Sequence, residues 1–344
     1  MINIAINGFG RIGRALYRLA HANGDVRVVA INDLGDPETL AYLLKRDTVY
    51  GAFPEKVSNS GTTLNVGEKK IPLYSEKDPS KLPWKEFDVD IAVESTGVFT
   101  KYATAKAHLA AGAKRVVITA PVKDAPEDAG IVGATVLMGV NEDALKTCDI
   151  SSNASCTTNA GSPLIAILDE GLGIEKAMLN TIHGYTSSQA LVDGPSKKKD
   201  LRRGRAAAQN IVPSTTGAAV ATTKALTQLD GKFDGVALRV PVLLGSIVDI
   251  TFIAKRDTSI EEVNDVLKKA ASEPRWEGIF TATDEPIVSS DIIGNIHASI
   301  ADLSFTRVVG GNLVKVFSWY DNEVGYANAL LKHIITSGRH ARGK

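Results

Sequence analysis

The ten residues SNASCTTNAG, at positions 152–161, place the thiol of Cys156 among hydroxyl and amide side chains. Free cysteine normally behaves as a small apolar residue, and this stretch offers it no apolar surroundings. Serine, threonine and asparagine favour helix starts, and apolar residues recur at helical spacing from Leu164 to Leu172, with Pro163 expected in the first turn. Because a helix N-terminus stabilises an anion, the pattern predicts a nucleophilic thiolate at Cys156, with a pKa below that of a free thiol.

Such a thiol benefits from a base, and His183 lies in NTIHGYT, between a strand-like run and a polar loop. An imidazole at a strand end can accept a proton from a thiol or from a reacting hydroxyl. Most histidines are not catalytic, so this stretch alone leaves a packed core residue as the alternative. The other cysteine, Cys148 in LKTCDI, is interpreted as a core thiol.

The glycine motif NGFGRIG follows the strand-like run INIAI and contains Gly8, Gly10 and Gly13. The first glycine permits a tight turn, the second lets the backbone approach a pyrophosphate, and the third lets helix and strand pack closely. The helix is expected over about residues 11–23. Asp33 ends the next strand-like segment, where a carboxylate can bind ribose hydroxyls and repel a 2′-phosphate. This context predicts a dinucleotide site that prefers NAD to NADP, with a purely structural turn as the alternative.

A dinucleotide site and an activated thiol together predict oxidation of an aldehyde. The thiol adds to the carbonyl, a hydride leaves for the nicotinamide, and a base removes the hydroxyl proton. The product is a thioester, which needs an acceptor. Serine would form an ordinary ester that is far less reactive in acyl transfer, so this chemistry requires sulfur.

The elements that must position these residues are read from the apolar runs. We predict strands at VDIAVE (89–94), RVVIT (115–119) and TVLMG (135–139), which suit a parallel sheet covered on both faces. Small polar residues follow two of them, at 95–97 and 119–121, where open α/β sheets bind ligands, although ordinary loop chemistry explains them equally well. Near the end of the chain, EVGYANALLKHIITSG has the spacing of an amphipathic helix.

Composition narrows the class of protein. A chain of 344 residues suggests two domains, and a net charge of +0 argues against nucleic acid or an anionic membrane as the main partner. No apolar run reaches the ~18 residues that a membrane span needs, and MINIAINGFG lacks the pattern of a signal peptide. Two cysteines do not make a disulfide framework. We therefore expect a reduced, cytoplasmic protein with no metal site.

Several longer motifs occur in order over residues 1 to about 338: NGFGRIGR, SNASCTTN, HGYT, LRRGRAAAQNIVPSTTGAA, ALRVPV and WYDNEVGYANALL. With them the chain resembles the phosphorylating glyceraldehyde-3-phosphate dehydrogenases. The resemblance implies an α/β Rossmann NAD-binding domain of residues 1–153, completed by a C-terminal helix at 322–344. It also implies an α+β catalytic domain of residues 154–321 with a large, mostly antiparallel sheet, and a homotetramer.

The resemblance further implies a role for individual residues. Cys156 becomes the nucleophile and His183 the base. The implied cofactor contacts are Gly8, Gly10, Arg11, Ile12, Gly13, Asp33, Lys77, Thr119 and Asn322. The implied contacts to substrate and inorganic phosphate are Ser155, Thr157, Thr186, Arg203, Thr216, Gly217 and Arg239. Arginine suits this task because its planar fork can donate two bonds to one phosphate.

Arg239 and Arg203 differ in how strongly the sequence alone indicates an anion-binding role. Arg239 lies in a strand-like apolar run, where an unpaired charge is costly, so a bound anion or an ion pair is expected. Arg203 belongs to the run LRRGR, which could equally be a solvated surface segment. Only the resemblance selects Arg203 over its neighbours Arg202 and Arg205.

Two departures from the family pattern stand out. Gly194-Pro195 replaces the Leu-Pro of many bacterial relatives, which leaves Asp33 as the main indication for NAD. Ala160 replaces a second cysteine and should not affect turnover. The predicted reaction converts D-glyceraldehyde 3-phosphate, NAD and inorganic phosphate to 1,3-bisphosphoglycerate. The alternatives are an erythrose-4-phosphate dehydrogenase that hydrolyses its thioester, a cysteine–histidine hydrolase, and a non-catalytic NAD-binding protein that responds to thiol oxidation.

Overall fold

The computed structural model describes residues 1–196 and 200–343. The chain forms two compact units, Met1–Ala154 with the chain from Leu330 onward, and Ser155–Ala329. The domain boundaries predicted after residues 153 and 321 are not tested by this division into units, and they remain predictions. Lys197, Lys198 and Lys199 of the loop that contains Gly194-Pro195, and Lys344 of the predicted terminal helix, lie outside the described residues. Among the residues described, no helix is both long and apolar enough to cross a membrane.

The first unit is built on one sheet whose strands run in the order β10-β11-β9-β8-β1-β2-β7-β6-β5. The strands of this unit are β1 (Ile2–Asn7), β2 (Val26–Asn32), β3 (Arg46–Asp47), β4 (Gly51–Ala52), β5 (Val57–Ser60), β6 (Thr63–Val66), β7 (Lys69–Tyr74), β8 (Ile91–Glu94), β9 (Arg115–Ile118), β10 (Gly133–Thr135) and β11 (Ile150–Ser152). Neighbours from β10 to β7 are parallel, β5, β6 and β7 are antiparallel, and β3 pairs separately with β4. Central strands such as β1 are buried along their whole length, as parallel strands covered on both faces must be.

Along residues 1–154 the α-helices are α1 (Arg11–Ala22), α2 (Pro37–Lys45), α3 (Tyr102–Ala105) and α4 (Ala107–Ala110). Helix α1 follows β1 through the glycine turn and ends one residue before the expected Asn23. The parallel sheet with a glycine turn between β1 and α1 confirms the predicted Rossmann-type unit.

The predicted strand TVLMG at 135–139 is wrong. Strand β10 ends at Thr135, and the chain then turns, with the Val140 N–H donating to the Leu137 carbonyl and Gly139 at a φ of +77°. The Asn141 side chain closes this turn, since it accepts from the Leu137 N–H and donates to the Thr135 carbonyl. An apolar run predicts burial, but it does not separate a strand from a buried turn.

The second unit is built on a sheet with the order β13-β14-β12-β15-β18-β17-β16. Its elements are α5 (Cys156–Leu172), β12 (Ile174–Gly184), β13 (Val212–Thr215), α6 (Ala218–Thr223), β14 (Phe233–Val240), β15 (Ser246–Ala254), α7 (Ile260–Ala271), β16 (Phe280–Thr283), β17 (Ser299–Val309), β18 (Leu313–Tyr320) and the start of α8 (Val324–Arg342). The pairs β12/β14 and β16/β17 are parallel and the other neighbours antiparallel, which confirms the mostly antiparallel sheet. Side chains alternate between buried and half-buried along β15, and α5 packs against β12, β15, β17 and β18.

Two helix predictions need correction. Pro163 lies inside α5 rather than in its first turn, because the Ser155 side chain caps the helix one residue before Cys156. Helix α8 begins at Val324 rather than at residue 322. The Asp321 carboxylate accepts from the N–H groups of Glu323 and Val324, and this capping sets where the helix begins.

Candidate active site

Cys156 is the first residue of α5, and its position follows from local capping. The Ser155 Oγ accepts from the Thr158 N–H at 3.1 Å, which starts the helix at the residue that carries the thiol. Part of the Cys156 side chain stays exposed. Both cysteines are free thiols, and Cys148 is buried, with a pKa that burial raises to about 11. The prediction of a core thiol at Cys148 is confirmed.

His183 is the residue before the end of β12, and its ring meets the thiol of Cys156. The distance from Cys156 Sγ to His183 Nε2 is 3.4 Å, and the His183 side chain is 2% exposed. On its other side, His183 Nδ1 lies 2.6 Å from the Gly184 carbonyl oxygen. A carbonyl only accepts hydrogen bonds, so this contact favours the tautomer with the hydrogen on Nδ1, in which the lone pair of Nε2 faces the thiol. The structure thus brings the predicted nucleophile and the predicted base together.

Burial controls the protonation of this pair. Burial, followed by the charge of Arg239, lowers the pKa of His183 to about 3, so its imidazole is neutral at neutral pH. Burial also raises the pKa of the Cys156 thiol, although the Arg239 charge and hydrogen bonds from Thr157 oppose this effect. The expected lowering of the thiol pKa is therefore wrong for this structure. A neutral thiol faces a neutral base, which suits proton transfer during attack.

Arg239 lies directly beside His183, since the two residues are register partners in the parallel strands β14 and β12. Its Nη1 is 2.6 Å from His183 Nδ1 and 3.3 Å from the Gly184 carbonyl oxygen. Among the described residues, its buried Nε has no hydrogen-bond partner. Burial also lowers the pKa of this guanidinium. A half-buried guanidinium with an unused inward donor is suited to bind an anion.

Arg203 lies in a hydroxyl-lined position and not in a solvated charge run. Its Nη1 donates to Ser188 Oγ at 2.9 Å, its Nη2 donates to Ser214 Oγ at 2.7 Å, and its Nε lies 3.3 Å from Asp200 Oδ2. The side chain of Arg203 is 12% exposed, against 63% for Arg205. This contrast separates Arg203 from its neighbour in the sequence.

Thr186 joins the same group of hydroxyls. Its Oγ1 lies 2.9 Å from Ser188 Oγ, so Arg203 and Thr186 share Ser188 as a hydrogen-bond partner. Thr216 and Gly217 lie where α6 begins, and Thr216 Oγ1 accepts from the Ala218 N–H. The role of Thr216 and Gly217 as phosphate contacts stays a prediction.

Two further contacts hold predicted residues around the thiol and β12. Thr157 Oγ1 lies 3.0 Å from the Tyr320 hydroxyl, which is 2.8 Å from Thr181 Oγ1. Asn322 accepts through Oδ1 from Ser246 Oγ at 3.0 Å, and the same Ser246 Oγ accepts from the Gly184 N–H. Asn322 is therefore connected to the end of the strand that carries His183.

In the first unit, a cavity of about 460 Å³ lies beside the glycine turn. Four of the predicted cofactor residues line it, namely Gly8, Gly10, Asp33 and Lys77. The Asp33 carboxylate accepts from the N–H groups of Phe9 and Gly35, which fixes its orientation. The predicted dinucleotide residues are thus gathered at the carboxyl ends of β1 and β2, where parallel sheets bind ligands.

The three glycines of the motif are required for different reasons. Gly8 has a φ of +99°, and a Cβ there would lie 2.6 Å from the Thr96 nitrogen. A Cβ on Gly13 would lie 2.2 Å from the Gly8 carbonyl oxygen, so the fold itself excludes a side chain. A Cβ on Gly10 would meet no atom within 4 Å and would project into open space. The fold does not require glycine at position 10, but the close approach of a pyrophosphate would.

Arg11, Ile12 and Thr119 are further predicted cofactor residues of the first unit. Arg11 and Ile12 open α1, where backbone N–H groups can face phosphates, and the Arg11 guanidinium pairs with Asp47. Thr119 directly follows β9, and its N–H donates to the Glu94 carbonyl oxygen at 3.0 Å. These placements fit a bound dinucleotide, and the individual contacts stay predictions.

Comparisons with known proteins identify the family. Residues 2–102 match the model of the glyceraldehyde 3-phosphate dehydrogenase NAD binding domain, and residues 155–322 match that of the C-terminal domain. The glyceraldehyde-3-phosphate dehydrogenase of Thermotoga maritima is 52% identical over 334 residues, 96% of this chain and 97% of the relative. The chain belongs to the glyceraldehyde-3-phosphate dehydrogenase family. Glyceraldehyde-3-phosphate dehydrogenase 2 of Streptomyces avermitilis is 48% identical over 340 residues, 98% of each chain. The Geobacillus stearothermophilus enzyme is 47% identical over 332 residues, 96% of each chain.

As a member of the glyceraldehyde-3-phosphate dehydrogenase family, the chain uses NAD as its cofactor. The matched NAD binding domain contains the glycine motif, Asp33 and Lys77, whereas Thr119 lies beyond it. The matched C-terminal domain contains Cys156, His183 and, as its last residue, Asn322.

Sequence reasoning missed several residues that contact the predicted site residues of this family member, among them Ser188, Ser214, Ser246 and Tyr320. Ser188 and Ser214 each lie two residues from a predicted threonine, so the dense hydroxyl pattern of TSS and VPST was the available signal. Ser246 and Tyr320 gave no local signal, because each reaches the site through pairing of strands that are distant in sequence.

Proposed function

We propose that this protein catalyses the reversible oxidation of D-glyceraldehyde 3-phosphate by NAD and inorganic phosphate, giving 1,3-bisphosphoglycerate. One observation carries the proposal: the Cys156 thiol, at the start of α5, lies 3.4 Å from Nε2 of His183. A thiol beside a neutral buried imidazole is suited to form and release an acyl thioester. Relatives of 47–52% identity carry the name of this activity.

In the proposed reaction, His183 handles the proton at each step. Nε2 takes the thiol proton as Cys156 Sγ attacks the aldehyde carbon, then passes it to the new alkoxide to give a hemithioacetal. Bound NAD supplies the hydride acceptor. Nε2 removes the hydroxyl proton as the hydride leaves, and the carbon becomes the acyl group of a thioester on Cys156. Inorganic phosphate then attacks the acyl carbon and gives up its proton to solvent, and the displaced thiolate takes back the proton held on Nε2, which completes acyl transfer.

Two groups of residues are proposed to hold the oxyanions. Arg239 and Thr186 would bind the phosphate of the substrate, which is supported by the half-buried guanidinium of Arg239 with its unused Nε donor among the described residues. Arg203 would hold inorganic phosphate together with Ser155, Thr157, Thr216 and Gly217. The hydroxyls around Arg203 support this, because a polar pocket can exchange its internal hydrogen bonds for bonds to an anion.

The cofactor contacts proposed from the resemblance are those of the glycine turn, Asp33, Lys77, Thr119 and Asn322. The carboxylate of Asp33 at the cavity supports a preference for NAD over NADP, since it would repel a 2′-phosphate. When Asp33 is replaced by alanine, the ratio of NADP to NAD efficiency should rise.

We also propose the cytoplasmic homotetramer that the resemblance implies. One face of the second sheet carries the exposed apolar side chains of Met178, Val236 and Leu313. Exposed apolar side chains on one face of a sheet are suited to an interface between proteins. Light scattering after size-exclusion chromatography tests the oligomeric state.

The decisive experiment follows NADH at 340 nm with glyceraldehyde 3-phosphate and NAD, with and without inorganic phosphate. Sustained NADH formation that requires phosphate supports the proposal. A rate that does not depend on phosphate would favour the hydrolytic erythrose-4-phosphate dehydrogenase. Erythrose 4-phosphate is therefore assayed as a substrate in parallel. The Cys156→Ser variant is the control, because it should lose phosphorylating turnover and still bind NAD in calorimetry. Near-normal turnover by this variant would contradict the mechanism.

A further inference from the structure

A buried carboxylate lies behind the wall of the first-unit cavity. Glu94 is the last residue of β8, and its side chain is 1% exposed. Its Oε1 accepts from the N–H of Thr96 at 2.9 Å and from the Thr96 hydroxyl. Its Oε2 accepts from Asn7 Nδ2 at 2.6 Å and lies 3.1 Å from His108 Nε2. Four donors thus hold one carboxylate, as burial of a polar group of this kind requires.

The orientation of His108 is set by a third buried residue. Trp84 Nε1 lies 3.0 Å from His108 Nδ1, and both side chains are fully buried. An indole N–H only donates, so Nδ1 accepts and Nε2 carries the hydrogen that points to Glu94. The planes of the two rings are also close to parallel, with an interplanar angle of 21°. The hydrogen bonds therefore run in one direction, from Trp84 through His108 to Glu94.

On one side, Glu94 fixes the segment 95–98 of the cavity wall. Thr96 lines the cavity, donates to Glu94 and accepts through Oγ1 from the Val98 N–H at 3.0 Å. Ser95 Oγ donates to the Gly8 carbonyl oxygen at 2.6 Å. Because a Cβ on Gly8 would lie only 2.6 Å from the Thr96 nitrogen, the two wall segments pack backbone against backbone. A shift of Thr96 must therefore displace the glycine turn.

On the other side, Glu94 reaches the segment that carries Lys77. Asn7 donates to Glu94 and accepts through Oδ1 from Asn32 Nδ2 at 2.7 Å. Asn32 also binds both backbone groups of Glu76, the residue before Lys77. The residues 7, 32 and 76 line the cavity with Lys77. One buried carboxylate therefore connects the walls on both sides of the predicted dinucleotide site.

We propose that Glu94, oriented by His108 and Trp84, is a positioning residue for the dinucleotide. It acts through Thr96 and Asn7, which line the cavity, and it is not itself among the lining residues. This inference rests on the proposed function, because it assumes that the cavity binds NAD. A buried charge is a costly way to hold a core together, since apolar residues of similar volume stabilise as well or better. The network is therefore explained by the geometry that it imposes on the cavity walls.

The test compares two replacements of His108. Glutamine can accept from Trp84 through its carbonyl and donate to Glu94 through its amide, whereas leucine can do neither. We expect His108→Leu to weaken NAD binding about ten-fold, because this is roughly the effect of losing one hydrogen bond to a charged group. The KM for NAD should rise by the same factor, with kcat at saturating NAD and the KM for the aldehyde within two-fold. His108→Gln should restore NAD affinity to within about two-fold of wild type.

Calorimetry with NAD alone and thermal unfolding separate positioning from stability. The control is Tyr102→Phe, which removes a buried hydroxyl of the same unit outside this network and should leave NAD affinity unchanged. If the His108→Leu variant melts at a lower temperature but binds NAD like wild type, then His108 has a structural role alone. That result would overturn the proposal.

If His108→Leu fails to fold, the exposed Thr96 supplies a second comparison. Thr96→Ser keeps the hydroxyl that donates to Glu94 and Thr96→Val removes it. Weaker NAD binding by the valine variant alone would support the proposal, and equal binding by both would contradict it. A wild-type protein that binds NAD but does not oxidise glyceraldehyde 3-phosphate would overturn the proposed function and leave this inference standing.

Discussion

Arg239 Nη1 lies 2.6 Å from His183 Nδ1, and the same ring nitrogen lies 2.6 Å from the Gly184 carbonyl oxygen. Arginine only donates and a carbonyl only accepts, so Nδ1 can satisfy one of these two neighbours but not both. The contact explains part of the low pKa of His183, because the positive charge of Arg239 opposes protonation of the ring. An anion bound to Arg239 would draw the guanidinium away from the imidazole and remove this opposition.

We expect Arg239→Gln to raise the KM for glyceraldehyde 3-phosphate by at least ten-fold, because the guanidinium that can donate two hydrogen bonds to the substrate phosphate is lost. Arg239→Lys should have a smaller effect, since it keeps the charge and loses only the bidentate geometry. The Kd for NAD should be unchanged in both variants. Steady-state kinetics with glyceraldehyde 3-phosphate and with unphosphorylated glyceraldehyde test this. An equal loss for both aldehydes would mean that Arg239 does not bind the phosphate.

The thiol of the free enzyme should titrate above an ordinary cysteine. Burial raises the pKa of Cys156, and the neutral His183 provides no positive charge beside it. The rate of alkylation by iodoacetamide should therefore still be rising with pH above about 8.5, the value for a free thiol. The His183→Asn variant should show a similar alkylation profile but slower hydride transfer in a single turnover. Fast alkylation that stays constant down to pH 6 would instead indicate a preformed thiolate–imidazolium pair.

Gly10 and Gly13 make a matched pair of substitutions. Gly13→Ala places a Cβ 2.2 Å from the Gly8 carbonyl oxygen, so it should lower the melting temperature, with a cost of about 1–3 kcal/mol for overpacking. Gly10→Ala meets no protein atom within 4 Å and should leave the melting temperature unchanged. It should instead weaken NAD binding by at least about ten-fold, because the Cβ would occupy space that a pyrophosphate needs. Calorimetry that finds normal NAD affinity for Gly10→Ala would place the pyrophosphate elsewhere.

His333 should make the protein less stable in mild acid. Its ring lies buried on α8 between Ser151 and Asn153, and burial lowers its pKa to about 3. The unfolded chain takes up a proton below about pH 6.5, whereas the folded chain does not until about pH 3. The free energy of unfolding therefore falls by up to about 1.4 kcal/mol per pH unit over this range, and His333 contributes no such loss above it.

Melting temperatures measured from pH 7 to pH 4 test this linkage. His333→Gln should melt with a weaker dependence on pH than wild type, even if it is less stable at pH 7. The partly exposed His340 on the same helix supplies the control, and His340→Gln should follow the wild-type slope. Parallel curves for wild type and His333→Gln would exclude His333 as a source of acid sensitivity.

The sequence by itself determined the features that depend on neighbouring residues. Helix α5 begins at Cys156 because Ser155 caps it, and such capping is readable from adjacent residues. The turn between β1 and α1 needs glycine at position 8 for its positive φ, and this is also a local requirement. The central strands of the parallel sheet follow largely from apolar runs, whereas the mostly antiparallel sheet was expected only from the family resemblance. These local signals were sufficient to place the predicted nucleophile at a helix start and the predicted dinucleotide residues at one glycine turn.

Tertiary structure alone decided what surrounds those residues. His183 reaches Cys156 because β12 ends beside the start of α5, and Arg239 reaches His183 through strand register. The thiol pKa was predicted in the wrong direction because desolvation comes from residues that are distant in sequence. The network of Glu94, His108 and Trp84 was invisible for the same reason. Burial and hydrogen-bond direction are properties of packed elements, so a reading of local patterns cannot supply them.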